Sequence, residues 1–251
     1  MKRSVRADAI TSGHDIIAME QATSPPGTAD KKAAPALGRV AWGALSAAIA
    51  LFLFVKLADE VMEQETLRFD SAVIHYFEHH SWHPLHLAMS AVTVIASGPY
   101  QTGLILAMAL VFLWKRRFWP DGITLLIAGG GGLALEHILK LLFHRTRPEP
   151  IFYHLGYSFP SGHSFFAVVV YGMIAYQLAR RRTAAQRAWI YTIASLAILL
   201  VGFSRVYLTQ HYPTDVIGGY LAGICWLWGC LALPSFIGTR RNAPNNSTSS
   251  V

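Results

Sequence analysis

The sequence predicts an all-α protein built as a bundle of six transmembrane helices, and three observations carry that expectation. The 251 residues are 53% apolar and only 14% charged, against roughly 25% charged in ordinary globular chains. Several apolar runs approach the roughly 20 residues that a helix needs to cross a bilayer. The formal charge of +7 lies in clusters at the ends of those runs. That placement suits orientation in a membrane better than a nucleic-acid stripe along one polar face. The bilayer is therefore an expected partner and nucleic acid is not.

Residues 1–37 mix charged and small polar side chains with the turn-forming Ser24-Pro25-Pro26-Gly27 and read as a disordered cytoplasmic tail. Six spans follow, at 39–58, 98–115, 121–143, 162–180, 187–205 and 213–234, within one domain over 38–236. A second cytoplasmic tail covers 237–251, where the sequons beginning at Asn245 and Asn246 would face the wrong compartment for glycosylation. The stretch Leu85–Trp114 is apolar for 30 residues, but Gly98-Pro99 interrupts it. Residues 85–97 are accordingly expected to form a short packed or interfacial helix rather than a span.

Charge parity supports that choice. Lys2, Arg3, Lys31, Lys32 and Arg39 precede the first span; Lys115, Arg116 and Arg117 follow the second; Arg180, Arg181, Arg182 and Arg187 follow the fourth; Arg240 and Arg241 follow the sixth. With six spans all these clusters lie on one side, which the positive-inside rule makes cytoplasmic. The loop after the first span carries Asp59, Glu60, Glu63, Glu65, Asp70 and Glu78 and would lie outside. Within it, Phe69, Val73, Ile74 and Phe77 recur at helical spacing, predicting an amphipathic helix on the outer surface. His79, His80, His83 and His86 follow; Pro84 breaks their register and no carboxylate repeats at a ligand spacing, so an interfacial turn is favoured over a metal site. Gly129–Gly132 follows no strand and ends in no Lys-Ser/Thr, so it reads as a close helix contact rather than a phosphate cradle. Cys225 and Cys230 read as small packed residues, not a disulfide or zinc pair.

Three polar segments interrupt the apolar pattern: Lys140 with Arg147-Pro148, then Pro160-Ser161-Gly162-His163, then Ser204-Arg205 with His211 and Asp215. On the six-span topology all three meet at the outer face. Lys140, Arg145, Arg147 and Arg205 place positive charge where orientation rules leave little, so they ask for an anion, and phosphate suits both the arginine fork and the lysine point charge. Ser161 adds a hydroxyl, and Gly162 opens a helix, where free N–H groups favour an anion. Singly, each residue has a plainer account: Lys140 pairs with Glu136 one turn earlier, and the arginines and histidines meet lipid headgroups. The plain account does not explain the spacing of His211 and Asp215. A carboxylate one turn on can hold the imidazole tautomer whose other nitrogen faces substrate, and His163 could protonate a departing alkoxide.

The pattern of Lys, six residues, Arg-Pro; Pro-Ser-Gly-His; and Ser-Arg, five residues, His, three residues, Asp resembles the three-part signature of the type 2 phosphatidic acid phosphatase (PAP2) family, related to vanadium haloperoxidases and glucose-6-phosphatase. Lys140, Arg147, Pro148, Pro160, Ser161, Gly162, His163, Ser204, Arg205, His211 and Asp215 match it without departure. The resemblance implies a six-helix, haloperoxidase-like membrane phosphatase that uses no metal and no cofactor. His211 would be the nucleophile forming a phosphohistidine, Asp215 its orienting partner and His163 the general acid. Lys140, Arg147, Ser161, Gly162, Arg205 and Ser204 would hold the phosphoryl oxygens. Glu136, His144, Arg145 and His154 match no family position. The expected substrate is a lipid phosphate, namely phosphatidic acid, phosphatidylglycerol phosphate or undecaprenyl diphosphate, processed at the outer face of a bacterial-type inner membrane. A lipid phosphotransferase is the alternative within the enzyme class. A transporter is the alternative outside it, but its ionisable residues should spread through the midplane rather than crowd one face. Phe152, Tyr153, Tyr157 and Phe159 could line a lipid's approach or form an interfacial belt.

Overall fold

Proline and cap chemistry set the helix boundaries in this computed structural model, which describes residues 30–115, 119–148, 156–180 and 182–239. Among these residues there are eight helices and no strand: α1 (Asp30–Met62), α2 (Leu67–His79), α3 (His83–Ile95), α4 (Gly98–Trp114), α5 (Trp119–Phe143), α6 (Gly162–Ala179), α7 (Ala184–Tyr207) and α8 (Pro213–Thr239). Pro84, Pro99 and Pro213 stand in the first turns of α3, α4 and α8, where a missing N–H costs nothing. Thr183 caps α7 in a reciprocal box with Gln186. The chain divides at Trp42 into two compact units. The described part of the first is helical from Asp30, and the second contains the core and candidate site. The tails expected at 1–37 and 237–251 lie outside the described residues except where α1 and α8 enter them, as do Arg116, Arg117, Arg181, Arg240 and Arg241.

Five helices are long and apolar enough to cross a membrane, namely α1 from Ala41, α5, α6, α7 and α8 as far as Ala232. The second expected span, 98–115, appears as α4, which is shorter; α3 and α4 together pass the same test as a span bent by 43°. Pro84 opens α3 rather than breaking a helical register, which corrects the reading of the His83–His86 segment.

The centre is α6, which packs against α5, α7 and α8. Phe165, Phe166, Val169, Val170 and Met173 meet Phe54 and Val61 of α1, Ile105 and Ala109 of α4, Leu125 and Ala128 of α5, and Ala222 and Cys230 of α8. The glycine run lets helices approach, as expected: a Cβ at Gly131 would stand 2.7 Å from the Trp226 ring, and one at Gly129 3.0 Å from Ile105. The Trp226 indole N–H donates to the Ala128 carbonyl at 2.9 Å. Cys225 and Cys230 are both free thiols. Large apolar side chains face outward, with Trp189 69%, Leu110 66% and Ile193 63% exposed, a surface suited to hydrocarbon rather than water.

Two local expectations need correction. Phe159 is neither an approach nor a belt residue: it is fully buried, stacked on Phe54 at 5.8 Å and edge-on to Phe143 at 5.0 Å. Phe152 and Tyr153 lie outside the described residues. On α2, the buried positions are Asp70 and Ile74, with Ile74 packed among Val206 and Val216, so this helix is docked on the ends of α7 and α8. Its Asp70, grouped by sequence with the acids of an exposed loop, is 0% exposed.

Candidate active site

The three polar segments converge where the start of α6, the end of α7 and the start of α8 meet. Ser161 precedes α6 and its backbone N–H donates to the Asp215 carbonyl at 2.9 Å, tying the first turn of α8 to the Pro-Ser-Gly-His segment. Gly219, one turn after Asp215 on α8, allows that approach, since a Cβ there would stand 2.5 Å from the Ser161 carbonyl oxygen. Ser161, Arg147, Arg205, His211 and Asp215 are all buried.

His211 lies between α7 and α8. Its Nε2 is 3.1 Å from Arg147 Nη1. A guanidinium can only donate, so Nε2 is the acceptor and the ring proton is on Nδ1. Nδ1 in turn lies 3.4 Å from Asp215 Oδ2, within ion-pair range although not in hydrogen-bond geometry. The two neighbours thus select one tautomer from opposite sides, with the Nε2 lone pair on the Arg147 side. Burial, followed by the charges of Arg205, Arg147 and Lys140, holds the His211 pKa well below the usual imidazole value. The ring is therefore neutral at neutral pH.

Arg147 also donates from Nε to the Gly156 carbonyl at 3.0 Å and from Nη1 to the Gln210 carbonyl at 2.9 Å. Burial lowers its pKa, against the opposing pull of Asp215 and Glu136. Arg205 Nη1 donates to Thr93 Oγ1 at 3.3 Å, while its Nε and His163 Nε2 are buried without a hydrogen-bond partner among the described residues. His163 lies within the field of the Arg205, Lys140 and Arg147 charges, so one electrostatic environment joins all three segments.

Two expected phosphate ligands have other partners. Lys140 Nζ is paired with Glu136 Oε1 at 2.7 Å, as the plain reading of that spacing had it. The Glu136 carboxylate also stands beside Gly162, 2.5 Å from where a Cβ would be. The Ser204 hydroxyl donates to the Val201 carbonyl at 2.6 Å and pairs with Thr93 Oγ1 at 2.8 Å, so it buttresses the threonine that holds Arg205.

Sequence reasoning missed a second layer. Arg145, first counted with the anion-seeking cations, is committed to carboxylates: Nη2 to Asp70 Oδ2 at 2.6 Å and Nη1 to Asp215 Oδ1 at 2.8 Å. Its guanidinium lies 4.4 Å from the Tyr212 ring centroid. Burial alone would lower the Arg145 pKa, but Asp215 and Asp70 outweigh it and raise the value. Asp215 Oδ2 further accepts from the Tyr212 N–H at 2.9 Å and from a short contact with the Ser158 hydroxyl. Away from the site, His75, Glu78 and His79 bring three ligand-type atoms within 4.8 Å of one another on the exposed face of α2. The sequence reading had looked for such a group at His79–His86 and overlooked His75.

Comparison with known proteins identifies the family. The family model described as "PAP2 superfamily" matches residues 121–238. Phosphatidylglycerophosphatase B of Bacillus subtilis (strain 168) is 35% identical over 144 residues, covering 56% of this chain and 70% of the relative. The chain belongs to the PAP2 superfamily. An undecaprenyl-diphosphatase of Sulfolobus acidocaldarius is 30% identical over 127 residues, covering 47% of this chain and 56% of the relative. The crystal structure of a transmembrane PAP2-type phosphatidylglycerolphosphate phosphatase from Bacillus subtilis superposes with a TM-score of 0.70 at 28% identity, covering 76% of this chain and 97% of the other. Its PAP2 membership and apolar helices make this chain an integral membrane protein.

Proposed function

We propose that this PAP2 protein is a lipid phosphate phosphatase that acts through a phosphohistidine at His211. The observation that carries the reading is the His211 ring, neutral, with Nδ1 toward Asp215 and Nε2 toward Arg147. Arg147, Arg205 and Lys140 would bind the phosphoryl oxygens with the Ser161 hydroxyl and Gly162 amide, and Ser204 would support Arg205 through Thr93. Transfer of Arg147 Nη1 from the imidazole to a phosphoryl oxygen would free the Nε2 lone pair for in-line attack. His163 would protonate the leaving oxygen, and water would then hydrolyse the phosphohistidine. Cationic side chains neutralise the developing charge, so the chemistry requires no metal. The carboxylates nearest the site, Asp215, Asp70 and Glu136, are engaged by Arg145 and Lys140.

The relatives' names, phosphatidylglycerophosphatase and undecaprenyl-diphosphatase, support a lipid phosphomonoester or diphosphate as the substrate class. Purified protein in detergent with excess chelator should release phosphate from at least one of phosphatidic acid, phosphatidylglycerol phosphate and undecaprenyl diphosphate. It should be inhibited by vanadate, a mimic of the five-coordinate transition state. Turnover seen only after magnesium is restored would overturn the metal-independent mechanism, and no turnover of any of the three would overturn the function.

The site would face outside, with both termini in the cytoplasm, because the basic clusters fall on the opposite side. In a variant lacking Cys225 and Cys230, a cysteine at the exposed His80 should react with an impermeant thiol reagent added to intact cells, and one at the exposed Ala185 should not. The reverse pattern would invert the topology.

A further inference from the structure

We propose that Asp70 and Arg145 are positioning residues for Asp215, so that α2 contributes to turnover although it carries none of the motif residues. The inference rests on the phosphatase reading above. Asp215 is fully buried, and its two oxygens are treated differently. Oδ1 is held by Arg145 Nη1 at 2.8 Å, whereas Oδ2 receives Ser158, the Tyr212 N–H and the Nδ1 side of His211. Anchoring Oδ1 fixes the carboxylate plane, which presents Oδ2 to the imidazole.

Arg145 is itself held in place from α2. Asp70 Oδ2 accepts from Arg145 Nη2 at 2.6 Å and from the Thr214 hydroxyl at 2.5 Å, and Oδ1 accepts from the Thr214 N–H at 3.2 Å. Arg145 Nη1 also donates to the Thr214 hydroxyl oxygen at 2.8 Å. Thr214 immediately precedes Asp215, so Asp70 grips both the arginine and the backbone that carries the carboxylate.

Charge accounts for the second acid. Arg145 and Asp215 alone would cancel, leaving the dyad little field to offer His211. With Asp70 the buried trio carries one net negative charge. When Nε2 donates its lone pair to phosphorus and the P–O bond to the leaving group breaks, the ring keeps its Nδ1 proton and becomes cationic. A net negative trio beside Nδ1 stabilises that cation, whereas a neutral pair would not.

The test is a double-mutant cycle on the full-length protein, using whichever lipid phosphate the wild type hydrolyses. Asp70→Asn should lower kcat about tenfold or more with KM nearly unchanged, because no phosphate-binding group is touched. Asp215→Asn should lower it further. In the Asp215→Asn background, Asp70→Asn should cost less than about threefold, because its effect passes through the residue already changed. Where Asp70→Asn does not yield folded protein, the same cycle with Arg145→Lys decides, since that variant keeps the charge and loses the two-pronged grip. Losses that multiply across the cycle, or a raised KM with unchanged kcat, overturn the positioning role while leaving the phosphatase reading intact. Absence of wild-type turnover on any lipid phosphate sinks both.

Discussion

Replacing His211→Ala should reduce turnover of every phosphate ester to background, whatever its alcohol, because the atom that attacks phosphorus is gone. Replacing His163→Ala should be selective. A lipid alkoxide leaves poorly without a proton, so lipid phosphate turnover should fall by about 100-fold to 10,000-fold, the usual worth of general acid assistance. A nitrophenolate leaves as a stable anion, so p-nitrophenyl phosphate should keep a much larger share of its rate. The contrast is read as the ratio of kcat/KM on the two substrates, with vanadate binding and thermal melting as controls. Equal losses on both substrates in both variants would remove the separate roles assigned to the two histidines.

The largest structural effect is expected at Gly219→Ala. A methyl there would meet the Ser161 carbonyl oxygen at 2.5 Å, Ser164 Cβ at 2.9 Å and the Phe165 nitrogen at 3.2 Å. Two of these three are backbone atoms that no rotamer change can move, so α6 and α8 must separate where the motif segments meet. Overpacking of this kind costs about 1–3 kcal/mol, or roughly 2–4 °C of melting temperature per kcal/mol for a chain of this size. Activity should fall more than stability, because the displaced atoms belong to the segment carrying Ser161, Gly162 and His163. Gly229→Ala on the same helix meets nothing within 4 Å and should be neutral, or stabilising by up to about 1 kcal/mol through helix propensity. Similar melting temperatures and activities for the two variants would refute the tight crossing.

What was legible in the sequence depended on chain distance. Spacing over a few residues is visible in one dimension, so the His211–Asp215 pair across the start of α8, the Lys140–Glu136 pair within α5 and the apolar spans could all be read directly. The sequence also held an unused clue at Asp70. Residues 70, 73, 74 and 77 follow i, i+3, i+4, i+7 spacing, so an acid occupies the apolar stripe of α2. Its partners Arg145 and Thr214 lie 75 and 144 residues away, and no local pattern connects them. Phe159 was misread for a related reason: flanking aromatics suggested an interface, but the side chain is stacked on α1. Arg145 looked like another phosphate ligand because charge and position alone cannot distinguish a cation awaiting substrate from one already held by carboxylates.

The most direct test of the central claim is to trap the intermediate. Wild-type protein and the His163→Ala and His211→Ala variants should be mixed with a radiophosphate-labelled substrate, quenched within one turnover and digested at alkaline pH. Wild type, and more strongly His163→Ala with p-nitrophenyl phosphate, should carry label that survives base, is lost in acid and maps to the peptide containing His211, while His211→Ala should carry none. Label on another residue, or full turnover by His211→Ala, would contradict the account.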